Sequence, residues 1–257
     1  MTDPRTAAVA ARLRAAGCVF AEDEAEILIA ESDSAAELDR FVERRVSGTP
    51  LEYIVGWAEF RGLRIAVEDG VFVPRRRTEF LVDVALGAID GASVVLDLCC
   101  GAGALAAAII AEAAPTDVVA ADIDPVAVRC ARRNVPADRV FPGDLFAALP
   151  ATLRGRIDVI FVNAPYVPSA EIAFMPAEAR DHEALVALDG GDDGLAVHRR
   201  VAAEAREWLT PGGLLVIETS ERQAERTRSL FAEQGFAARI TSDEDRDATA
   251  VAARSPR

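Results

Sequence analysis

From residue 93 onward, short apolar runs alternate with helical patterns, and that alternation leaves few folds open. Strands are predicted at 93–98, 117–121, 138–141, 157–162, 213–218, 236–241 and 248–253, and helices at 103–113, 125–134, 195–209 and 221–234. Alternation of this kind packs helices on both faces of a mainly parallel sheet. The last two strands are too close in sequence for a crossover helix, so one of them should run antiparallel. Asp124-Pro125 is a helix start, with a carboxylate at the N-cap and proline at the first helical position. Pro211-Gly212-Gly213 is expected to stop a helix before the fifth strand, and Gly235 to end the last helix. The expected class is α/β, Rossmann-like, with a seven-stranded mixed sheet.

Ahead of this region the pattern changes twice. Apolar residues at helical spacing (Val9, Leu13; Ile27, Leu28; Leu38, Phe41, Val42) predict two or three short helices before the break at Gly48-Thr49-Pro50. Residues 51–73 are aromatic and β-branched and predict a β-hairpin, with Asp69-Gly70 as its turn. Arg75-Arg76-Arg77-Thr78-Glu79 then leads into a helix bearing Phe80, Leu81, Val84 and Leu86. The expected division is a helical domain over 1–47, a hairpin linker over 48–77 and an α/β domain over 78–257.

Two of the strands end in loops of special residues. Val94–Leu98 runs into Cys99-Cys100-Gly101-Ala102-Gly103, and Ile157–Val162 runs into Asn163-Ala164-Pro165-Tyr166. Ligands of open α/β sheets bind at the carboxyl ends of strands, so both loops should border one site. Gly101 and Gly103 let the backbone approach a ligand, and the following helix offers free N–H groups to an anion. Gly101-x-Gly103-x-x-Ala106 suits a pyrophosphate as well as the carboxylate of a methionine. Asp122 ends the second strand, where a carboxylate can accept from ribose hydroxyls. Asp144 follows the third strand and can accept from an adenine amine, with Leu145 and Phe146 as apolar cover. Each aspartate would also serve as a helix cap.

Asn163-Ala164-Pro165-Tyr166 separates the readings. An amide or exocyclic amine is a poor nucleophile because its lone pair is delocalised. Two acceptors that hold its two N–H protons orient the nitrogen and stabilise the charge that grows on it. The Asn163 side chain and the Ala164 carbonyl are suited to that, Pro165 stiffens the turn, and Tyr166 can pack on a flat acceptor. The two loops together point to methyl transfer from S-adenosylmethionine to a planar nitrogen. Three other readings stay open: a nucleic-acid or small-molecule amine methyltransferase, a nicotinamide-dependent oxidoreductase, and a catalytically weak binding module. His198 falls inside a predicted helix and is expected to pack, whereas His182 lies in a segment that could cover the site.

Charge and composition narrow these readings. The chain carries a net charge of −14, and all of its 28 basic residues are arginine. A strongly acidic chain binds phosphate backbones poorly, so nucleic acid is disfavoured as a direct substrate. No apolar run reaches the length of a membrane span. The opening Met-Thr-Asp-Pro-Arg lacks the apolar core of a signal peptide. Cys18, Cys99, Cys100 and Cys130 show no metal-ligand spacing. The expectation is a cytoplasmic protein with reduced thiols, no metal, no membrane partner and a monomeric state.

Taken together, these residues resemble the HemK-like family of protein glutamine-N5 methyltransferases, which modify the Gly-Gly-Gln glutamine of peptide-chain release factors. The resemblance runs from about Gly48 to the end. It rests on Gly48-x-Pro50-x-x-Tyr53-Ile54-x-Gly56, on Pro74-Arg75-x-x-Thr78-Glu79, on Asp97 to Gly103, on Asp122, on His182-Glu183 and on Ala187-Leu188-Asp189-Gly190-Gly191-x-x-Gly194-Leu195. It implies a class I S-adenosylmethionine-dependent methyltransferase fold, with a protein glutamine amide as acceptor. It further implies that Asp97, Cys99, Cys100, Gly101, Ala102, Gly103, Asp122, Ile123, Asp144, Leu145 and Asn163 border the cofactor. Asn163, Ala164, Pro165 and Tyr166 would serve the acceptor, and Arg75, Thr78 and Glu79 would contact one or the other. The chain is a divergent member on this reading. Ala164 stands where the family has the first proline of Asn-Pro-Pro-Tyr, and Cys99 where it has glycine. Arg76 and Arg77 replace a proline and an acidic residue, and the helical segment is short.

Overall fold

The computed structural model describes residues 4–257. Three helices open it, α1 (Pro4–Ala15), α2 (Ala21–Glu31) and α3 (Ala35–Val46). Val9, Leu13, Ala25, Leu28 and Val42 form their shared core, which Ile54 of α4 (Leu51–Val55) completes. α3 starts at Ser34, whose hydroxyl accepts from the Glu37 N–H. Arg45 at the end of α3 is buried and forks between Glu24 of α2 and Glu178, each at 2.6 Å. Glu178 belongs to a later segment that borders the cavity described below, so this arginine ties the helical unit to the rest of the molecule.

The hairpin sits differently from the sequence expectation. β1 (Trp57–Phe60) and β2 (Leu63–Ala66) pair antiparallel around Arg61-Gly62, and Asp69-Gly70 turns the chain only afterwards. Residues Leu51–Val55 form a helical turn instead of a strand. Gly56 at φ +81 closes that turn as a left-handed cap, and the strand can begin only after it. Both turn residues have positive φ, +52 at Arg61 and +75 at Gly62. Arginine gives no signal for such a conformation, whereas Asp-Gly is a strong turn signature. Arg61 is held there by Asp83 at 2.8 Å and by Glu112.

α5 (Glu79–Ala85) leads into the α/β region. Its elements follow in the order β3 (Val94–Leu98), α6 (Ala104–Ala113), β4 (Asp117–Asp122), α7 (Pro125–Ala131), β5 (Val140–Pro142), β6 (Ile157–Val162), α8 (Ala177–His182), α9 (Ala196–Glu204), β7 (Leu209–Glu218), α10 (Glu221–Glu233), β8 (Ala237–Asp243) and β9 (Ala248–Arg254). Among the described residues, seven strands form one sheet in the order β5-β4-β3-β6-β7-β9-β8. The first five are parallel, and β9 runs antiparallel to both of its neighbours. Both faces are apolar. Val95, Val159, Phe161 and Val216 face Leu81, Leu105 and Ile109 on one side. Leu96, Ile160, Leu215 and Ile217 face Val201, Trp208 and Phe231 on the other. Strand order reverses between β3 and β6, because β4 and β5 build to one side and β6 and β7 to the other. A crevice opens at such a switch point, above the carboxyl ends of the strands.

Several boundaries differ from the sequence reading, three of them by more than a residue or two. α7 ends at Ala131, short of residue 134. The helix expected over 195–209 gives way after Glu204 to a tighter turn at Ala205–Glu207. Pro211-Gly212-Gly213 lies within β7 instead of before it, and the pairing with β6 slips there, from Ile157↔Leu209 to Val159↔Leu214. A bulge of that kind accommodates a proline and two glycines inside a strand. Among the described residues no helix is long and apolar enough to cross a membrane. All four cysteines are free.

Candidate active site

The crevice holds a cavity of about 500 Å³, within the usual size of small-molecule sites. Its floor is the loop after β3. Gly101 and Gly103 take φ of +54 and +77, and a Cβ on Gly103 would sit 3.3 Å from Cβ of Ala131 in α7. The loop is therefore closely packed on α7 at Gly103, with ordinary room at Gly101. Gly103 has no side chain to cap α6, so the N–H groups of Ala104 and Leu105 are left at the cavity wall that these residues form with Ala102. Asn134 pins the loop from behind. Its Nδ2 donates to Ala102 O at 2.8 Å and to Ala66 O at 2.9 Å, and its Oδ1 accepts from the Ala66 N–H at 2.8 Å. That residue carried no signal in the sequence, because it acts through backbone atoms far away in the chain.

Two carboxyls face this loop. Asp97 is buried and accepts from the Ala106 N–H at 3.0 Å. Burial pushes its carboxyl up to about 7, against the pull of that N–H, and repulsion from Asp122 adds to the rise. Asp122 accepts from the N–H groups of Gly101 and Asp124 at 2.8 and 2.9 Å. Its carboxyl is also raised, mainly by burial. Among the described residues, no arginine forms an ion pair with either group. The floor is thus electrostatically short of a cation, while the start of α6 beside it, where Asp97 already takes the Ala106 N–H, favours an anion at its remaining N–H groups. Asp124, by contrast, is the cap of α7, accepting from Val126 N at 2.8 Å.

The far wall is apolar and exposed at its rim. Ile123, Leu145 and Val197 line it with Asp144, whose carboxylate meets Arg200 at 2.8 Å. Asp144 therefore does not cap the turn that follows it. Phe146, expected as cover, lies in the core, stacked on Trp208 with ring centroids 5.7 Å apart. Phe72 takes the place of an aromatic at the cavity wall. Cys99 and Cys100 also line the cavity, and burial raises both thiols. Cys99 holds φ at +61, a left-handed conformation that a glycine would adopt at no steric cost.

Asn163, Ala164, Pro165 and Tyr166 all border the same cavity, at the end of β6. Asn163 Nδ2 donates to Thr78 Oγ1 at 3.1 Å, and that hydroxyl donates to Glu218 Oε2 at 2.6 Å. Tyr166 OH and Arg77 Nε donate to the other Glu218 oxygen at 2.9 and 3.2 Å. Behind Tyr166 the backbone is equally held. Gln223 Nε2 donates to Tyr166 O at 3.0 Å and to Asp193 O at 3.1 Å. A Cβ on Gly194 would fall 2.3 Å from both Tyr166 O and Gln223 Nε2, so only glycine fits there. The segment from Leu188 to Gly194 thereby braces the Asn163 loop: the Val167 N–H donates to Leu188 O at 3.1 Å, and the Gly190 N–H donates to Val167 O at 2.8 Å.

Two residues singled out from the sequence stand elsewhere. Glu79 accepts from the Arg61 N–H in the hairpin turn and is absent from the cavity wall, unlike its neighbour Thr78. Arg75 pairs with buried Glu183 and lies over the Phe72 ring at 4.9 Å, one layer behind the wall. Glu183 is raised by burial and held down by that arginine. His182 ends α8 outside the wall, while Met175, Leu185 and Val186 from the same segment cover the cavity. His198 is buried, with Nδ1 at 3.2 Å from Thr227 Oγ1, and burial lowers it to about 4. Glu218, Gln223, Arg77 and Phe72 were not found from the sequence. Glu218 had one available signal, a carboxylate at the end of an otherwise apolar strand.

Comparison with known proteins adds the following. Residues 63–191 match the family model described as Methyltransferase small domain. A release factor glutamine methyltransferase of Geobacter sulfurreducens is 38% identical over 201 residues, covering 76% of this chain and 69% of that one. Another, of Mycolicibacterium smegmatis, is 34% identical over 267 residues, covering 95% and 94%. Among solved structures, a methyltransferase from Pyrococcus furiosus superposes with a TM-score of 0.57 at 18% identity, over 77% of this chain and 91% of that one. That last likeness is one of fold.

Proposed function

This chain belongs to the release factor glutamine methyltransferases, and from that premise we propose that it methylates the side-chain amide nitrogen of a glutamine in a peptide-chain release factor. The cofactor is S-adenosylmethionine, which when bound supplies a sulfonium-activated methyl group. The observation that carries the reading is the meeting of Asn163 and the glycine loop on one cavity wall.

The residues present fit that cofactor. Asp97 and Asp122 form an acidic floor without a basic partner, suited to a ligand that bears positive charge. The first turn of α6 offers N–H groups to a carboxylate. Asp122 keeps lone pairs for ribose hydroxyls, and Leu145 with Ile123 gives a flat base an apolar wall.

Catalysis asks little covalent chemistry of this chain. Asn163 Oδ1 and the Ala164 carbonyl accept the two N–H protons of the acceptor amide. They fix its plane and stabilise the positive charge that grows on nitrogen. Tyr166 and Pro165 bound the flat group, and Met175, Leu185 and Val186 help keep water out. The amide proton becomes acidic as charge develops and leaves late, to water.

The test is mass spectrometry of a purified release factor after incubation with the protein and S-adenosylmethionine. The expected product carries one added methyl group on glutamine. An unmodified release factor, under conditions where calorimetry shows the cofactor bound, would remove that acceptor.

A further inference from the structure

The Asn163 side chain can do its work in only one of its two amide orientations. Its oxygen must face the acceptor, because its NH2 group would meet the acceptor's own N–H protons. Nothing in the asparagine itself selects that orientation, and it must come from the neighbours.

Those neighbours form a relay with a fixed direction. Glu218 is buried, with 3% of its side chain exposed, and is absent from the cavity wall. A carboxylate only accepts hydrogen bonds. The Thr78 hydroxyl, 2.6 Å from Glu218 Oε2, must therefore spend its single proton there. Thr78 Oγ1 is then only an acceptor toward its other neighbour, 3.1 Å away, and that neighbour must be Asn163 Nδ2. The Asn163 oxygen is left to the opposite side, the cavity. The same carboxylate accepts from Tyr166 OH at 2.9 Å and from Arg77 Nε at 3.2 Å, so one anion also holds these two residues of the cavity wall.

We infer that Glu218 is the positioning residue of this active site, setting the polarity of the Asn163 amide through the Thr78 hydroxyl. The inference rests on the reading of Asn163 as the group that holds the acceptor amide. It reaches further in naming what orients it, 55 positions downstream of Asn163 and 140 from Thr78.

Glu218→Gln is the informative change, because it keeps shape and alters direction. Arg77 Nε–H can only donate, so the introduced amide turns its oxygen toward Arg77 and its NH2 toward Thr78. Thr78 then accepts from that NH2 and donates to Asn163, which must flip its oxygen away from the cavity. Glu218→Gln is expected to lower kcat about tenfold or more while leaving the cofactor Kd within about threefold. Thr78→Val removes the middle of the relay and should give a similar loss. The double variant should be no worse than the worse single, since both changes cut one path. Losses that multiply would overturn the relay, as would full activity in Glu218→Gln.

A second readout is independent of the acceptor and of turnover. The side-chain amide protons of Asn163, assigned by their loss in Asn163→Asp, are followed by NMR in protein saturated with S-adenosylhomocysteine. In the wild type one of them should be shifted downfield and protected from exchange by Thr78. In Glu218→Gln and in Thr78→Val that protection should vanish. Unchanged Asn163 signals in Glu218→Gln would overturn the proposal. The expected pattern in a protein that methylates no release factor would sink the acceptor assignment and leave the relay standing. Bound S-adenosylhomocysteine also shows that each variant is folded.

Discussion

The backbone N–H of Gly101 donates to Asp122 Oδ2 at 2.8 Å, so the carboxylate that ends β4 also fastens the glycine loop that ends β3. One side chain thus shapes the floor and presents charge to whatever lies on it. Asp122→Ala removes both effects. Cofactor affinity should fall by about 1–3 kcal/mol, the usual cost of leaving buried polar groups without a charged partner. Asp122→Asn retains an acceptor for Gly101 and should lose less. Calorimetry with S-adenosylmethionine ranks the three proteins, and equal affinities would deny the carboxylate any part in binding.

Asn163 should separate binding from chemistry. In the proposed reaction its side chain serves the acceptor, while the glycine loop serves the cofactor. Asn163→Ala is expected to leave cofactor affinity within a few-fold and to cut turnover by about 10², as loss of one aligned polar group does in other enzymes. Single-turnover kinetics with saturating cofactor makes the comparison, and an undiminished rate would take Asn163 out of the mechanism.

Asp97 should give the fold a measurable pH dependence. Burial pushes its carboxyl from 3.8 up to about 7 in the folded protein. Between those values the folded state holds a proton that the unfolded chain has released. The folded state therefore binds more protons, and stability falls as pH rises through this window. Asp97→Asn is neutral throughout and can still accept from Ala106. The stability difference between Asp97→Asn and wild type should widen in favour of the variant from about pH 4 to pH 7, by on the order of a few kcal/mol, and then level off. Chemical denaturation across that range follows the gap, and a constant gap would place the Asp97 carboxyl in its ordinary range.

Gly194 is the tightest point behind the Asn163 loop. It holds φ at +73, and a Cβ there would meet Tyr166 O and Gln223 Nε2 at 2.3 Å. Gly194→Ala should cost about 3 kcal/mol or more, combining overpacking with left-handed strain. Gly17→Ala is the matched control, with φ at +95 and no atom within 4 Å, and should cost only about 1–2 kcal/mol. Thermal unfolding of the two variants makes the contrast, and equal shifts would reject the packing argument.

Ala164 is buried and precedes Pro165, so its backbone is already confined to extended conformations. Ala164→Pro keeps the carbonyl and restricts φ further. Activity on a release factor should hold or rise, because the loop is then ordered in advance. A large loss, with the cofactor still bound, would mean that this chain uses an acceptor geometry of its own.

The centre of the α/β region was legible because β3, β4 and β6 are apolar runs, each closed by a loop of special residues. Asp122, Asn163 and the glycine pair each end such a run and meet at the switch point, as their positions in the pattern implied. The hairpin was misplaced because Asp69-Gly70 outranks Arg61-Gly62 as a turn signature. Arg61 owes its positive φ to Asp83 and Glu112, which no local pattern reveals. Phe146 was taken for a cavity residue because spacing along the chain does not say which way a side chain leaves a tight turn. Leu145, its neighbour, lines the wall from a left-handed position at φ +48. Glu218, Gln223 and Asn134 were invisible for a shared reason. Each works on a partner dozens of residues away, and pairings of that range come only from the assembled sheet.

The relay bond between Thr78 and Glu218 joins residues 140 positions apart, and that span bears on when the site can exist. Glycine floor, hairpin and Asn163 are all made from chain that precedes Glu218. Yet the polarity of Asn163 is undefined until β7 has inserted between β6 and β9. Closing so long a loop is entropically costly and slow, and contacts of this range form late in folding. A refolding chain should regain its helical signal first and its methyl-transfer competence last. The delay between the two times the docking of a single strand.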